Sequence, residues 1–214
     1  MHVIIVGCGR LGALLAQILS AEGHDVVVID RESSAFERLG SGFNGTTLVG
    51  TGIDIDILRK AGIETADALA AVTTDDNTNI MAAQVARELF RVPKVIARIY
   101  DPEREQIYHE FGLETVSPIT LAASQIRYAF DTKGFRHRFS PSEDLELVEL
   151  EVPAQYSGRT IKDLEMAGRF RVAGILRHGE GIIPQESFVL EAGDTVLGLA
   201  ARSHIPKIRA KLHL

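Results

Sequence analysis

Three glycines near the start of the sequence have the spacing of a phosphate-binding loop. Gly7, Gly9 and Gly12 follow an apolar, β-branched run at residues 3–6 and precede apolar residues at helical spacing. The first glycine of such a loop permits a tight turn, the second lets the backbone approach a pyrophosphate, and the third lets helix and strand pack closely. The N-terminus of the helix then offers N–H groups and partial positive charge to the phosphates.

An acidic residue stands where a ribose would lie. Asp30 ends a second buried run, eighteen residues after Gly12, and its carboxylate would accept hydrogen bonds from ribose hydroxyls. An acidic residue there disfavours a 2′-phosphate and so favours NAD over NADP. NAD, ATP and ADP share this ribose, so Asp30 is compatible with all three. The structural alternative is that the glycines only form a turn and Asp30 only caps a helix.

Other polar residues follow the ends of further predicted strands, which is where open parallel sheets bind their ligands. Arg10 would present its guanidinium to a phosphate or, alternatively, to solvent at the start of the helix. Arg98 would need a phosphate or an internal carboxylate as partner, because a charge within a strand is costly unpaired. Asp75 suits a ligand role or a helix cap. The full predicted binding set is Gly7, Cys8, Gly9, Arg10, Leu11, Gly12, Asp30, Arg31, Thr51, Thr73, Thr74, Asp75 and Arg98.

A regular alternation of strands and helices must position these residues. Buried apolar runs predict strands, and helices are predicted in the segments between them. The predicted strands are 3–6, 25–30, 46–49, 68–72, 94–99 and a short one near 115–116. The predicted helices include 32–39, 55–61, one ending near Phe90 and one at 119–131. This order predicts an α/β fold with a Rossmann-like, doubly wound parallel sheet.

The composition of the sequence changes after Thr132. Residues 134–143 are polar, basic and rich in turn formers, which is typical of a linker. Beyond them, residues 145–152 alternate between apolar and acidic types, the period-2 pattern of a half-exposed strand. We therefore predict a nucleotide-binding domain at 1–133, a linker at 134–143 and a smaller α+β domain at 144–214.

Composition limits the classes of function. A net charge of −6 and a pI of about 5.7 argue against a general nucleic-acid binder, and no helix-turn-helix is evident. The longest uncharged run, residues 39–53, is too short for a membrane span, and the start lacks the features of a signal peptide, so a cytoplasmic location is expected. A single cysteine excludes an internal disulfide and a cysteine-based zinc site. No metal site is predicted.

Catalytic equipment is not evident in the sequence. A nicotinamide-dependent oxidoreductase usually needs a general acid or base, often His, beside its cofactor. None of the seven histidines lies in a recognisable catalytic motif. We therefore expect a protein that binds a nucleotide without transforming it, and keep an NAD-dependent oxidoreductase as the alternative.

The motifs together resemble the RCK (regulator of K+ conductance) family, in particular its TrkA/KtrA-type cytosolic subunits. The resemblance rests on the glycine loop with Asp30 and on five further stretches, which are residues 50–52, 71–80, 96–99, 158–164 and 190–196. It implies a regulatory subunit of a membrane-embedded K+ channel or transporter, peripheral to the inner face of the cell membrane. It also implies NAD(H) or ATP/ADP as a regulatory ligand, and self-association as a dimer or as a ring of eight domains. The helix at 119–131 would cross to a neighbouring subunit.

The resemblance also assigns roles by position. Residues 7–11 would line the phosphate loop, Thr73 and Thr74 would touch the nucleotide, and Arg98 would approach its phosphates. Some relatives carry a Glu after the sixth strand that helps to bind a divalent cation. Residues 117–120 read Ser-Pro-Ile-Thr here, so the resemblance implies no such site. Some C-terminal modules of the family bind cyclic di-AMP, and no pattern in residues 144–214 decides this.

Overall fold

The computed structural model describes residues 1–130, 135–139 and 144–212. By its internal contacts the chain divides into two units, Met1–Leu121 and Ala122–Leu214. None of the helices in the described ranges is both long and apolar enough to cross a membrane.

The first unit contains a six-stranded parallel sheet. Its strands are β1 His2–Val6, β2 Asp25–Asp30, β3 Thr46–Val49, β4 Ala68–Ala71, β5 Lys94–Arg98 and β6 Glu114–Val116. Its helices are α1 Arg10–Ala21, α2 Ile55–Lys60, α3 Asp76–Gln84, α4 Pro102–Glu110 and α5 Pro118–Ala129, the last of which runs into the second unit. The strand order β3-β2-β1-β4-β5-β6 is that of a doubly wound sheet, which confirms the predicted Rossmann-like fold.

Burial explains why the inner strands form. Four of the five residues of β1 and four of the six of β2 are buried, and the central strands β1, β2 and β4 pair in parallel with Val3 opposite both Val26 and Ala68. Such strands are covered on both faces, so their inner residues are all apolar. Helices pack on each face and complete two separate apolar clusters, one on either side of the sheet.

Two of the predicted helices differ in kind. The predicted helix at 32–39 is a 3-10 helix, Ser33–Leu39, and its N-terminus has no side-chain cap. The predicted long helix ending near Phe90 is α3 followed by a π-helical segment, Val85–Leu89. The end of the predicted helix at 119–131 falls partly outside the described residues.

The second unit contains a five-stranded antiparallel sheet in the order β10-β9-β11-β8-β7. Its strands are β7 Phe135–Phe139, β8 Leu145–Glu151, β9 Phe170–Arg177, β10 Glu180–Ile182 and β11 Thr195–Ala201, and its helices are α6 Ile161–Leu164 and α7 Ile205–Leu212. Part of the stretch predicted as a linker is therefore a strand, because residues 135–139 pair with β8. The turn-forming and basic residues of this stretch do not predict a strand, although a short edge strand forms there.

One acidic residue of β8 departs from the apolar-in pattern that Val148 and Leu150 follow. The buried positions of β8 are 146, 148 and 150, which puts Glu146 on the core face. Its carboxylate lies 2.8 Å from Nε of Arg202, so the buried charge is paired. A second pair joins Arg177 to Asp194, whose side chain is almost fully buried, through two hydrogen bonds of 2.8 and 2.7 Å.

Candidate functional site: a cleft at the switch point of the parallel sheet

A cleft of about 670 Å³ opens at the carboxyl ends of the central strands. The sheet order reverses between β1 and β4, so the connections that follow these two strands turn away in opposite directions and leave a crevice. Eleven of the thirteen predicted binding residues line it: Gly7, Gly9, Arg10, Leu11, Asp30, Arg31, Thr51, Thr73, Thr74, Asp75 and Arg98. The lining residues outside that set are Val6, Ile29, Glu32, Gly50, Gly52, Val72, Thr78 and Pro118.

The glycine loop is fixed by close packing at two of its three glycines. Gly7 has a φ of +104°, and a Cβ there would lie 2.9 Å from the backbone nitrogen of Thr73. A Cβ on Gly12 would run into the carbonyl oxygen of Gly7. A Cβ on Gly9 would meet no protein atom within 4 Å. The protein itself therefore requires Gly7 and Gly12, whereas the space beside Gly9 opens on the cleft.

Cys8 and Gly12 belong to the loop but do not line the cleft. The Cys8 side chain is fully buried in the apolar cluster beneath α1, and its Sγ donates a hydrogen bond to the carbonyl of Ala35 at 3.3 Å. Burial raises the pKa of the Cys8 thiol, and the negative charge of Asp30 raises it further. Cys8 therefore acts on the site indirectly, through the backbone N–H that holds the Asp30 carboxylate.

Asp30 ties the loop to the end of β2. One carboxylate oxygen accepts a hydrogen bond from the Cys8 backbone N–H at 2.6 Å, and the other accepts one from the Glu32 backbone N–H at 3.0 Å. The residue at the N-cap of the 3-10 helix is Glu32, so Asp30 is not that helix's cap. A carboxylate has about four acceptor positions, so Asp30 retains capacity for a ligand's hydroxyl groups.

Arg31, which follows β2, contacts Thr51, which follows β3. Its guanidinium Nη2 lies 3.4 Å from the Thr51 hydroxyl, which joins the segment after β2 to the one after β3. Thr51 lies between Gly50 and Gly52, which also line the cleft. A Cβ on Gly50 would crowd the Ile57 side chain, so this turn packs tightly against α2.

The two aspartates after β4 act as local anchors. Asp75 caps α3, and its Oδ1 accepts a hydrogen bond from the Thr78 N–H at 2.7 Å, which lowers the pKa of the Asp75 carboxyl. Asp76 accepts a hydrogen bond from the Tyr100 N–H at 2.8 Å. Asp75 thus has the helix-cap role that the sequence left as an alternative, although it also lines the cleft.

Arg98 is held by a backbone carbonyl. Its Nη1 donates to the carbonyl oxygen of Thr73 at 2.9 Å, and its guanidinium carbon lies 5.8 Å from the centre of the Tyr100 ring. Of the two partners considered from the sequence, a carboxylate is not found among the described residues, and the contact within the protein is this carbonyl. Its Nε is buried and has no hydrogen-bond partner among the described atoms.

Sequence reasoning missed Asn79 as a site residue. This side chain is fully buried in α3 and bonds to both Thr73 and Arg98. Its position within the Thr-Thr-Asp-Asp-Asn-Thr-Asn run was visible, but a polar residue in the first turns of a helix predicts exposure as readily as burial.

The cleft presents groups that can bind phosphates and ribose hydroxyls. Three arginines and three carboxylates line it, together with hydroxyl and backbone groups. None of the described residues that line the cleft is His, Lys, Tyr or Cys, which together with Asp and Glu are the usual general acids and bases. The part of the chain that the structure describes also contains no group of three or more His, Cys, Asp or Glu side chains placed to hold a metal ion.

Together, the sheet order, the glycine loop and the switch-point cleft define a Rossmann-type nucleotide-binding domain that is joined to a smaller antiparallel domain. The TrkA-N domain family matches residues 3–118, and the TrkA-C domain family matches residues 145–213. The chain belongs to the TrkA family of potassium uptake proteins. It is 42% identical to the Trk system potassium uptake protein TrkA of Streptomyces coelicolor, over 98% of this chain and 95% of that one.

Solved structures share the fold. A structure of the GsuK channel bound to NAD superposes with a TM-score of 0.67 at 20% identity, over 97% of this chain and 38% of that one. A structure of GsuK bound to ADP has a TM-score of 0.51 at 26% identity, over 58% of this chain and 32% of that one. The chain thus spans less than half the length of these channel chains.

Proposed function

We propose that this chain is the nucleotide-sensing regulatory subunit of a membrane K+ uptake system. The observation that carries the proposal is the cleft, in which a glycine loop, Asp30 and Arg98 converge at the switch point of the sheet. The name of the Streptomyces coelicolor relative and the nucleotides named for the two GsuK structures support it. The nucleotide is a signal here and is not consumed.

The geometry favours one placement of the ligand. The pyrophosphate lies over Gly9, where the protein leaves open space, and next to the N-terminus of α1. The ribose lies against the free acceptor positions of Asp30. Arg10, Arg31 and Arg98 supply the positive charge that phosphate groups require. NAD(H), ATP and ADP all fit this description.

Regulation requires more than binding. The nucleotide shifts an equilibrium only if it has different affinities for two conformations of the assembly. The assembly we propose consists of several copies of this chain, as a dimer or a ring of eight domains, on the inner face of the cell membrane. Its change of conformation is passed to a membrane-embedded K+ channel or transporter subunit.

The first experiment is calorimetric titration of the chain with NAD+, NADH, ATP and ADP in parallel. We expect at least one of them to bind well below 1 mM, with Asp30→Asn as the control that weakens binding. The proposal fails if none binds more tightly than about 1 mM.

The second experiment tests the partner. Purified chain is mixed with membranes that contain the K+ uptake subunit of the same cell, with and without the nucleotide identified by titration. We expect retention on the membranes to differ between the two conditions, and the Asp30→Asn variant to lose that difference. Equal retention in all conditions, or sustained oxidation of NADH by a carbonyl substrate, would contradict the proposal.

A further inference from the structure

Asn79 uses its whole hydrogen-bonding capacity on two strand ends. Its side-chain oxygen accepts from the Thr73 backbone N–H at 2.8 Å and from the Thr73 hydroxyl at 2.7 Å. Its Nδ2 donates to the carbonyl of Thr73 at 3.0 Å and to the carbonyl of Arg98 at 2.9 Å. An amide side chain offers two donors and an acceptor with two lone pairs, so all four positions are filled.

These bonds cross between neighbouring strands. Thr73 follows β4 and Arg98 ends β5, so one buried side chain on α3 fixes the ends of both. The Thr73 carbonyl also accepts from Nη1 of Arg98 at 2.9 Å, which fills its two lone pairs. Asn79 therefore holds the carbonyl that in turn anchors the Arg98 guanidinium.

The same contacts reach the glycine loop. Gly7 lies so close to Thr73 that a Cβ would come within 3.0 Å of its backbone and side chain. A shift of Thr73 would therefore shift Gly7, or open a gap against it. On the other side, Arg98 lines the cleft, and a guanidinium is the kind of group that binds phosphate oxygens.

We propose that Asn79 is the positioning residue for the part of the cleft that reads the phosphate groups of the nucleotide. This inference rests on the proposed function, because it assumes that the cleft binds a nucleotide. Asn79 is too deeply buried to touch the ligand and acts through Thr73, Arg98 and Gly7.

The proposal predicts that loss of Asn79 affects the affinities of two ligands differently. Adenosine and ADP share a base and a ribose, and only ADP carries phosphates. A general loosening of the fold would weaken both ligands by similar factors. Loss of the Thr73 and Arg98 geometry alone would weaken ADP far more than adenosine, since the proposed ribose contact at Asp30 lies on the other side of the switch point, at the end of β2.

The test compares Asn79→Ala with Asn77→Ala, a control on an exposed residue two positions away in the same helix. Calorimetry measures ADP, and ligand-observed NMR titration measures the weaker adenosine. For Asn79→Ala we expect a loss of about tenfold or more for ADP and less than about threefold for adenosine. For Asn77→Ala we expect both affinities to stay within about twofold of wild type. Equal losses for the two ligands would overturn the proposal.

A double-mutant cycle with Arg98→Ala tests the route of action. If Asn79 acts through Arg98, adding Asn79→Ala to Arg98→Ala should cost ADP affinity much less than Asn79→Ala costs alone. Additive losses would contradict the proposal. Circular dichroism checks that each variant folds. If Asn79→Ala does not fold, Asn79→Asp replaces it, because Asp keeps the shape and the acceptor oxygen but loses the donors to both carbonyls. The same outcomes are expected for Asn79→Asp. Wild-type protein that binds none of NAD+, NADH, ATP and ADP would instead refute the proposed function itself.

Discussion

The Asp30 carboxylate and the Cys8 backbone N–H are joined by a hydrogen bond of 2.6 Å. The two residues lie at the ends of neighbouring strands, so this bond closes the glycine loop against β2 before any ligand arrives. The same carboxylate is the proposed ribose acceptor. In the proposed site, one side chain thus organises the loop and would also bind the ribose.

Replacing Asp30 should therefore weaken binding more than it weakens the fold. For Asp30→Asn we expect the affinity for ADP or NAD to fall by about tenfold or more, because charge-assisted hydrogen bonds become neutral ones. Asp25→Asn is the matched control, since Asp25 begins the same strand, and its exposed side chain pairs with His2. Calorimetry measures both variants, and an affinity unchanged in Asp30→Asn would contradict the ribose assignment.

Gly9 and Gly12 should respond differently to the same substitution. In Gly9→Ala the new Cβ lies in open space, and the φ of −71° is one that alanine adopts readily, so we expect the melting temperature to stay close to that of the wild type. Because that Cβ would occupy space proposed for the pyrophosphate, we expect nucleotide affinity to fall by about tenfold or more. Gly12→Ala forces the Cβ onto the carbonyl of Gly7, so we expect a loss of about 1–3 kcal/mol of unfolding free energy. Thermal and urea unfolding, run beside titration, separate the two effects. Equal behaviour of the two variants would refute this division of roles.

The thiol of Cys8 should report on opening of the site. It is the single cysteine of the chain, it is fully buried, and burial raises its pKa, so the native protein should react with a thiol reagent far more slowly than the unfolded chain. Bound nucleotide should slow the reaction further, because it favours the closed loop. Absorbance after mixing with a chromogenic disulfide measures the rate. Fast native labelling that nucleotide does not alter would contradict the buried position of Cys8.

The pair between Arg177 and Asp194 should stabilise the second unit in a pH-dependent way. Hydrogen bonds from Arg177 hold the pKa of the Asp194 carboxyl below its usual value, so the folded state gains stability above the unfolded pKa of about 3.9 and loses it as the pH falls through the lower folded pKa. For Asp194→Asn near neutral pH, we expect the unfolding free energy to fall by about 2 kcal/mol.

The difference between Asp194→Asn and wild type should then shrink below about pH 4, where wild type loses the same charge. Urea unfolding over a pH series measures this. Glu191→Gln is the control, because Glu191 also pairs with Arg177 at 2.7 Å but is well exposed, and such pairs contribute little. A difference between Asp194→Asn and wild type that does not depend on pH would show that the charge of Asp194 is not what stabilises the pair.

Local patterns determined the first unit and the place of its cleft. Buried β-branched runs predict parallel strands. The glycine spacing after β1 predicts a tight phosphate-binding loop between a strand and a helix. Because all parallel strands end at one edge, residues as distant as Asp30, Thr73 and Arg98 were expected to meet there. The cleft brings them together.

The partners of individual side chains were decided only by the tertiary structure. The sequence could not show that Cys8 faces the core, that the Thr73 carbonyl anchors Arg98, or that Asn79 is buried between two strand ends. It also did not reveal the edge strand at 135–139 within a basic, turn-rich stretch. Periodicity reports which face of an element is apolar. A buried polar group is satisfied by whichever distant residue the fold places beside it, and that information lies in contacts between segments rather than in any one of them.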